Sequence, residues 1–237
     1  MAWPAGPVLK QVEEAIHRTR GRAVKRATPV RLPMLLAAAA QAASAPWCAN
    51  AEAAVTCMLL SHHCLLRSKE LIACKWSDLT LAPDGAWTLS IEPAHDKTNR
   101  RHTARSVVLP PDTASPLLSR LRALQRESAS PFICPWRSYS AWRGSVAQTA
   151  SSCGWPPGVR THSFRSGGAT DLLECGAPVE DVRRLGRWAS DAFLTYWRPR
   201  PAEIAAHIGS ALRLASGVSS GRPRALRRPA RTRGRRS

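Results

Sequence analysis

The residues in this chain with chemistry to offer lie far apart in sequence and are mostly cationic. His162-Ser163-Phe164-Arg165 sets an imidazole and a guanidinium three residues apart. On a helix that spacing puts both on one face. With Thr161 as the N-cap, both stand in the first turn, where backbone N–H groups and the helix dipole favour an anion. Alone, the pair is as common as any surface pair. Four further features accompany it: Arg67 ahead of Lys69-Glu70-Leu71, Lys97 in a basic stretch, Trp188 after Leu185-Gly186-Arg187, and Tyr196. Their order along the chain, Arg, Lys, His-x-x-Arg, Trp, Tyr, is more informative than any one of them.

The charge balance points to a polyanionic partner. Among 237 residues, 35 Lys and Arg face 16 Asp and Glu, a formal net charge of +19 with a pI near 11.2. Eight of the arginines lie in 221–237 without an acid, and the remaining chain still carries +11. Basic charge spread over a folded body neutralises phosphates and releases counterions, which favours nucleic acid. An RNA-binding structural protein or a membrane-surface protein shares this property. The longest apolar candidate, 35–43, falls short of the roughly 20 residues that cross a bilayer, and the opening residues lack a secretory pattern. A soluble, intracellular protein is expected. The seven cysteines form no C-x-x-C pair and are odd in number, so they read as buried free thiols. His62-His63-Cys64 has no second cluster of ligand spacing, and no metal or other cofactor is expected.

The elements that must position these groups can be outlined from periodicity. Residues 8–20 have helical spacing and run into a basic linker. Helices are expected over 33–44, ended by Ala45-Pro46, and over 51–66, whose apolar circumference makes it central. A short helix follows over 69–76. The period then changes: 87–91 and 106–109 read as two strands of a small antiparallel unit, with 95–103 as a basic hairpin carrying Lys97. Helices resume over 115–127 and 138–152, and 153–158 is a break. The next helix runs over 162–174 and stops at Gly176; another starts at Pro178 and ends at Gly186. Ser190-Asp191 caps a short helix through Tyr196. The tail from residue 216 reads as disordered.

In these motifs the chain resembles the catalytic domain of the tyrosine recombinases, the phage integrase superfamily, related in mechanism to type IB topoisomerases. The resemblance rests on Leu65-Leu66-Arg67-Ser68-Lys69-Glu70-Leu71, the hairpin with Lys97, His162 through Thr170, Leu185-Gly186-Arg187-Trp188 and Thr195-Tyr196. The wording of the last two motifs is most similar to recombinases of DIRS and Crypton mobile elements. The resemblance implies a mainly α fold with a small antiparallel β-sheet, an α+β catalytic domain over 29–214. Residues 1–28 would be an N-terminal helix and basic linker left from a core-binding domain, and 215–237 an arginine-rich tail.

The resemblance also implies roles. Arg67 and Arg165 would clamp the scissile phosphate, and His162 would help remove the Tyr196 proton. Lys97 would protonate the departing 5′ oxygen, although Lys69 and Lys75 are nearby alternatives. Trp188 stands where many relatives have His, and would pack against and hydrogen-bond the phosphate. A free tyrosine has a pKa of about 10, so these cations would favour the phenolate. Tyr139, the second of only two tyrosines, precedes His162 in another helix and reads as core or surface structure.

Leu65 stands where a glycine is common two residues before the first arginine of the family. The implied activity is metal- and ATP-independent cleavage and rejoining of double-stranded DNA through a 3′-phosphotyrosyl intermediate. The implied assembly is a homotetramer on DNA, with 202–214 as a helix packing between neighbours; the location is nuclear if the source is eukaryotic. Relatives carry a core-binding domain ahead of the catalytic one, so the chain reads either as a fragment of a longer element or as one completed by a partner. A catalytically idle DNA-binding fragment remains open beside the enzyme, as does the RNA-binding structural protein.

Overall fold

The computed structural model describes residues 27–83, 85–92, 105–109, 116–190 and 193–194. Helix α1, Leu32–Ser44, is a run of leucine and alanine with a proline in its first turn, a residue whose fixed φ suits that place. Helix α2, Ala51–His63, is buried from Ala53 to His62 without interruption. It packs against α1 and against three later helices, α4 (Pro116–Glu127), α5 (Tyr139–Ser152) and α6 (Ser163–Glu174). Met58, Leu59 and Leu60 are each fully buried, and a buried side chain of this size contributes about 1.5–3 kcal/mol. The apolar circumference of α2 therefore makes it the central post.

Between α2 and α4 lie a short helix α3, Ser68–Ala73, a 3-10 turn at Trp76–Asp78, and three strands. These are β1 (Leu79–Leu81), β2 (Trp87–Ile91) and β3 (Arg105–Leu109), in the order β1-β2-β3 with both pairs antiparallel. Leu79 pairs with Leu89 and Leu89 with Val107. Because side chains alternate across a sheet, that row, with Ile91 and Leu109, meets the core while Ser90, Ser106 and Val108 face outward.

Helix α7, Val179–Leu185, closes the described chain beside α6. The glycine pair in α6 explains how closely that helix sits. A Cβ at Gly167 would stand 1.8 Å from the Val30 carbonyl oxygen, and one at Gly168 would stand 2.2 Å from that of His62. A smaller second core, of Leu65, Ala169, Leu173, Val182, Phe193 and Leu194, lies under α6 and α7.

The fold is thus mainly α with a small antiparallel sheet, as expected. Several boundaries differ. The central helix stops at His63, short of residue 66, because Leu65 takes a left-handed conformation (φ 48°). The expected helix over 69–76 divides into α3 and the 3-10 turn, and β1 is an additional strand. Helix α6 begins at Ser163, with His162 in the capping position and no side-chain cap. Thr161, expected to cap it, instead donates its hydroxyl to the Tyr139 Oη at 3.4 Å. Tyr139 is itself a surface residue, 53% exposed. Of the proposed segment 1–28 only residues 27 and 28 are described, and the hairpin 95–103, the helix 202–214 and the tail 215–237 lie outside the described residues.

A candidate phosphate site around Glu70

The turn after α2 delivers Arg67 to the first residue before α3. There the Glu70 carboxylate, 1% exposed, closes back on it. It accepts the Arg67 backbone N–H at 2.7 Å and the Arg67 Nη1 at 2.8 Å. A carboxylate three residues into a helix commonly satisfies an open backbone donor in this manner. Arg67 Nη2 reaches the carbonyl of Arg187 at 3.3 Å. Its side chain remains 22% exposed.

Arg165, on the first turn of α6, arrives beside this pair and is 1% exposed. Its Nη1 donates to the Leu65 carbonyl at 2.5 Å and stands 3.9 Å from Glu70 Oε2, and its Nη2 donates to the Gly186 carbonyl. The Trp188 ring covers the guanidinium at 4.3 Å and stacks on Phe193 with ring centroids 4.8 Å apart. A cation against an indole face is an attractive contact. Gly186 is obligatory for it, because a Cβ there would stand 1.6 Å from the Trp188 ring.

Leu65 occupies the left-handed region in which β-carbon crowding costs about 1–2 kcal/mol. Its side chain is fully buried in the second core, which offsets that strain. The left-handed turn directs the Leu65 carbonyl to two guanidiniums, those of Arg165 and Arg187.

His162 completes the group. Burial, then the positive charges of Arg165 and Arg67, push its pKa down to about 4. A neutral imidazole therefore stands beside two arginines at neutral pH. Of the six residues expected from sequence, Arg67, His162, Arg165 and Trp188 come together here from three separate segments. Lys97 and Tyr196 lie outside the described residues. Two members of the cluster carry a larger part than expected: Glu70 and Arg187, each read only as part of a motif. The signal available for Arg187 was its place directly after a helix-ending glycine.

A different charged group fastens α6 on its other side. Asp171 accepts the Leu32 backbone N–H at 2.8 Å, stands 2.7 Å from His62 Nε2 and pairs with Arg31 Nε. Arg31 also reaches Glu174, at 3.0 Å from its Nη1. His63 Nδ1 lies 2.8 Å from the Leu59 carbonyl, and the seven cysteines are unpaired. No helix among the described residues is long and apolar enough to cross a membrane.

Three comparisons place this architecture. Among solved structures, XerH site-specific recombinase bound to difH substrate, in a pre-cleavage complex, matches 76% of this chain with 15% identity and a TM-score of 0.58. The match takes in 53% of the XerH chain, so this chain spans about half of that relative's length. XerA recombinase matches at 14% identity and a TM-score of 0.59, over 78% of this chain and 65% of its own. A lambda integrase dimer bound to a COC′ core site matches at 17% identity and 0.55, over 78% of this chain and 52% of its own. At such identities the likeness is one of fold. A search of curated proteins found no match. The family model described as "Phage integrase family" matches residues 26–198, a span that contains every member of the cluster, and on that match the chain belongs to the phage integrase family.

Proposed function

We propose that the chain cleaves and rejoins DNA strands with Tyr196 as nucleophile. The observation that carries this reading is the meeting of Arg67, Arg165, His162 and Trp188 around one buried carboxylate, although the motifs that supply them are far apart in sequence. The Tyr196 oxygen would form a bond to the scissile phosphorus as the bond to the 5′ oxygen breaks. His162, neutral at pH 7, is in the form that accepts the phenol proton, and Lys97 would give a proton to the departing oxygen. Arg67 and Arg165 would hold the phosphate oxygens where charge develops. The product, a 3′-phosphotyrosine and a 5′ hydroxyl, keeps the bond energy, so that rejoining needs neither ATP nor a metal.

The net charge of +19 suits a DNA partner, and solved structures of lambda integrase and Tn1549 integrase, which this chain resembles in fold, are complexes with DNA. We extend the reading to a homotetramer on two duplexes, to recombination by a mobile element and, in a eukaryote, to the nucleus. The domain division at 28 and 214 belongs to the same reading.

A pool of nicked duplexes of randomised sequence tests it. A covalent adduct should appear on a denaturing gel with the wild-type chain and vanish with Tyr196→Phe. No adduct from the wild type, or one that survives the substitution, overturns the reading. A second reading, an idle DNA-binding remnant, is favoured by the 1% exposure of Arg165, since a phosphate reaches that side chain only when its cover is displaced. It predicts salt-sensitive duplex binding without an adduct.

A further inference from the structure

Arg187 is the member of the cluster to which the proposed chemistry assigns no part. It is 5% exposed, and it takes a left-handed backbone conformation (φ 56°) in a non-glycine residue. Its guanidinium is spread over four acceptors. Nη2 donates to Glu70 Oε2 and to the Leu65 carbonyl, each at 2.8 Å. Nη1 donates to the Leu185 carbonyl at 2.7 Å and the Cys64 carbonyl at 3.3 Å. Its own carbonyl accepts Arg67 Nη2.

Two of these acceptors join Arg187 to a group that holds one of the two phosphate-clamp arginines. Glu70 holds Arg67, and the Leu65 carbonyl holds Arg165. The same residue precedes Trp188, the ring over Arg165. We infer that Arg187 is a positioning residue, a buried fork that sets the spacing of Arg67, Arg165 and Trp188 by tying the Leu65 turn, the Glu70 carboxylate and the segment leading to Tyr196 into one body. A planar guanidinium offers five donors in fixed directions, whereas an ammonium is a single point of charge. Lysine could keep the charge at this position and still lose the spacing. The inference rests on the proposed cleavage reaction for its kinetic consequence but not for its geometry.

Arg187→Lys and Arg187→Gln test it in the full chain. Positioning predicts variants that fold, by circular dichroism and thermal melting, and bind random-sequence duplex within about 2-fold of wild type. The single-turnover rate of adduct formation at saturating DNA should fall about 100-fold, the effect of a misplacement near 1 Å. Inorganic orthovanadate is the second probe, read as the rise in melting temperature it causes. Wild type should be stabilised, and both variants should lose that stabilisation.

A purely structural role predicts variants that lose the fold outright or keep the wild-type rate and vanadate shift, and any of these overturns the inference. If the wild type forms no adduct but vanadate stabilises it and not the variants, the cleavage reading fails and the positioning role stands. If vanadate stabilises neither wild type nor variants and no adduct forms, both fail.

Discussion

Helix α6 carries a charged network on each side, and the two differ in composition. On one side Arg31 and His62 meet two carboxylates, Asp171 and Glu174. On the other, Arg67, Arg165 and Arg187 meet the buried carboxylate of Glu70. The first network ties α1 and α2 to α6. In it the Asp171 carboxyl is held below its usual range: burial opposes this, but hydrogen bonds from His62, Leu32 and Arg31 prevail. In the second, three guanidiniums converge on Glu70, and two of them, those of Arg165 and Arg187, are almost wholly buried. Charges removed from water need such compensation, and Glu70 with the carbonyls of Leu65 and Gly186 contributes it. The first network joins helices, while the second aligns the arginines to which the proposed reaction gives the phosphate.

The contrast is broken most severely at Glu70. Glu70→Gln removes the buried negative charge on which three guanidiniums converge. Loss of one partner of a buried pair costs about 3–5 kcal/mol, so urea unfolding should show a loss of that size. A loss below about 1 kcal/mol would mean the cluster tolerates its own repulsion.

Arg165→Lys comes next. It keeps the charge but cannot serve Leu65, Gly186 and a phosphate with one nitrogen. Removing one preorganised donor of this type costs about 10²–10³-fold in rate, to be read as single-turnover adduct formation at saturating DNA. An unchanged rate would detach Arg165 from the chemistry.

Asp171→Asn is the matching change in the other network. Unpairing its partners should cost about 1–3 kcal/mol of stability, while adduct formation, measured well below the melting temperature, stays at the wild-type rate. A large loss of rate with little loss of stability would erase the distinction between the two sides of α6.

The smallest effect is in pH. His162 has its pKa lowered in the fold, so between its unfolded value near 6.5 and about 4 the unfolded chain binds more protons. Stability should therefore fall as pH drops from about 6.5 to 4 and flatten below. His162→Gln should reduce that slope, leaving the part contributed by His63, whose pKa burial also lowers. Asp171, lowered from an ordinary value of 3.8, contributes stability above that pH that is lost only in more acidic solution. Urea midpoints across the range would separate the two windows, and a His162→Gln protein that keeps the upper slope undiminished would contradict the assignment.

Much of the fold was legible in local pattern. The alternation over 87–91 marks β2, and the unbroken apolar surface of 51–63 marks the buried helix. β1 was missed because three residues, Leu79–Leu81, are too few to show a period. The end of α2 was misplaced because Leu65-Leu66 continue its apolar character, while a positive φ at a leucine has no local signature. Thr161 is a suitable cap by residue type, but its hydroxyl is drawn to Tyr139, 22 residues away.

The sequence by itself determined the family motifs, their order and the excess of positive charge, because these are properties of residue type and spacing. Only the tertiary structure decided which groups each arginine meets. Glu70 and Arg187 are separated by 117 residues, and no periodicity connects them. Their contact exists because the Leu65 turn and the end of α7 arrive at the same buried point. There the Glu70 carboxylate and the Leu65 carbonyl are shared among guanidiniums of which Arg67 keeps the largest exposure.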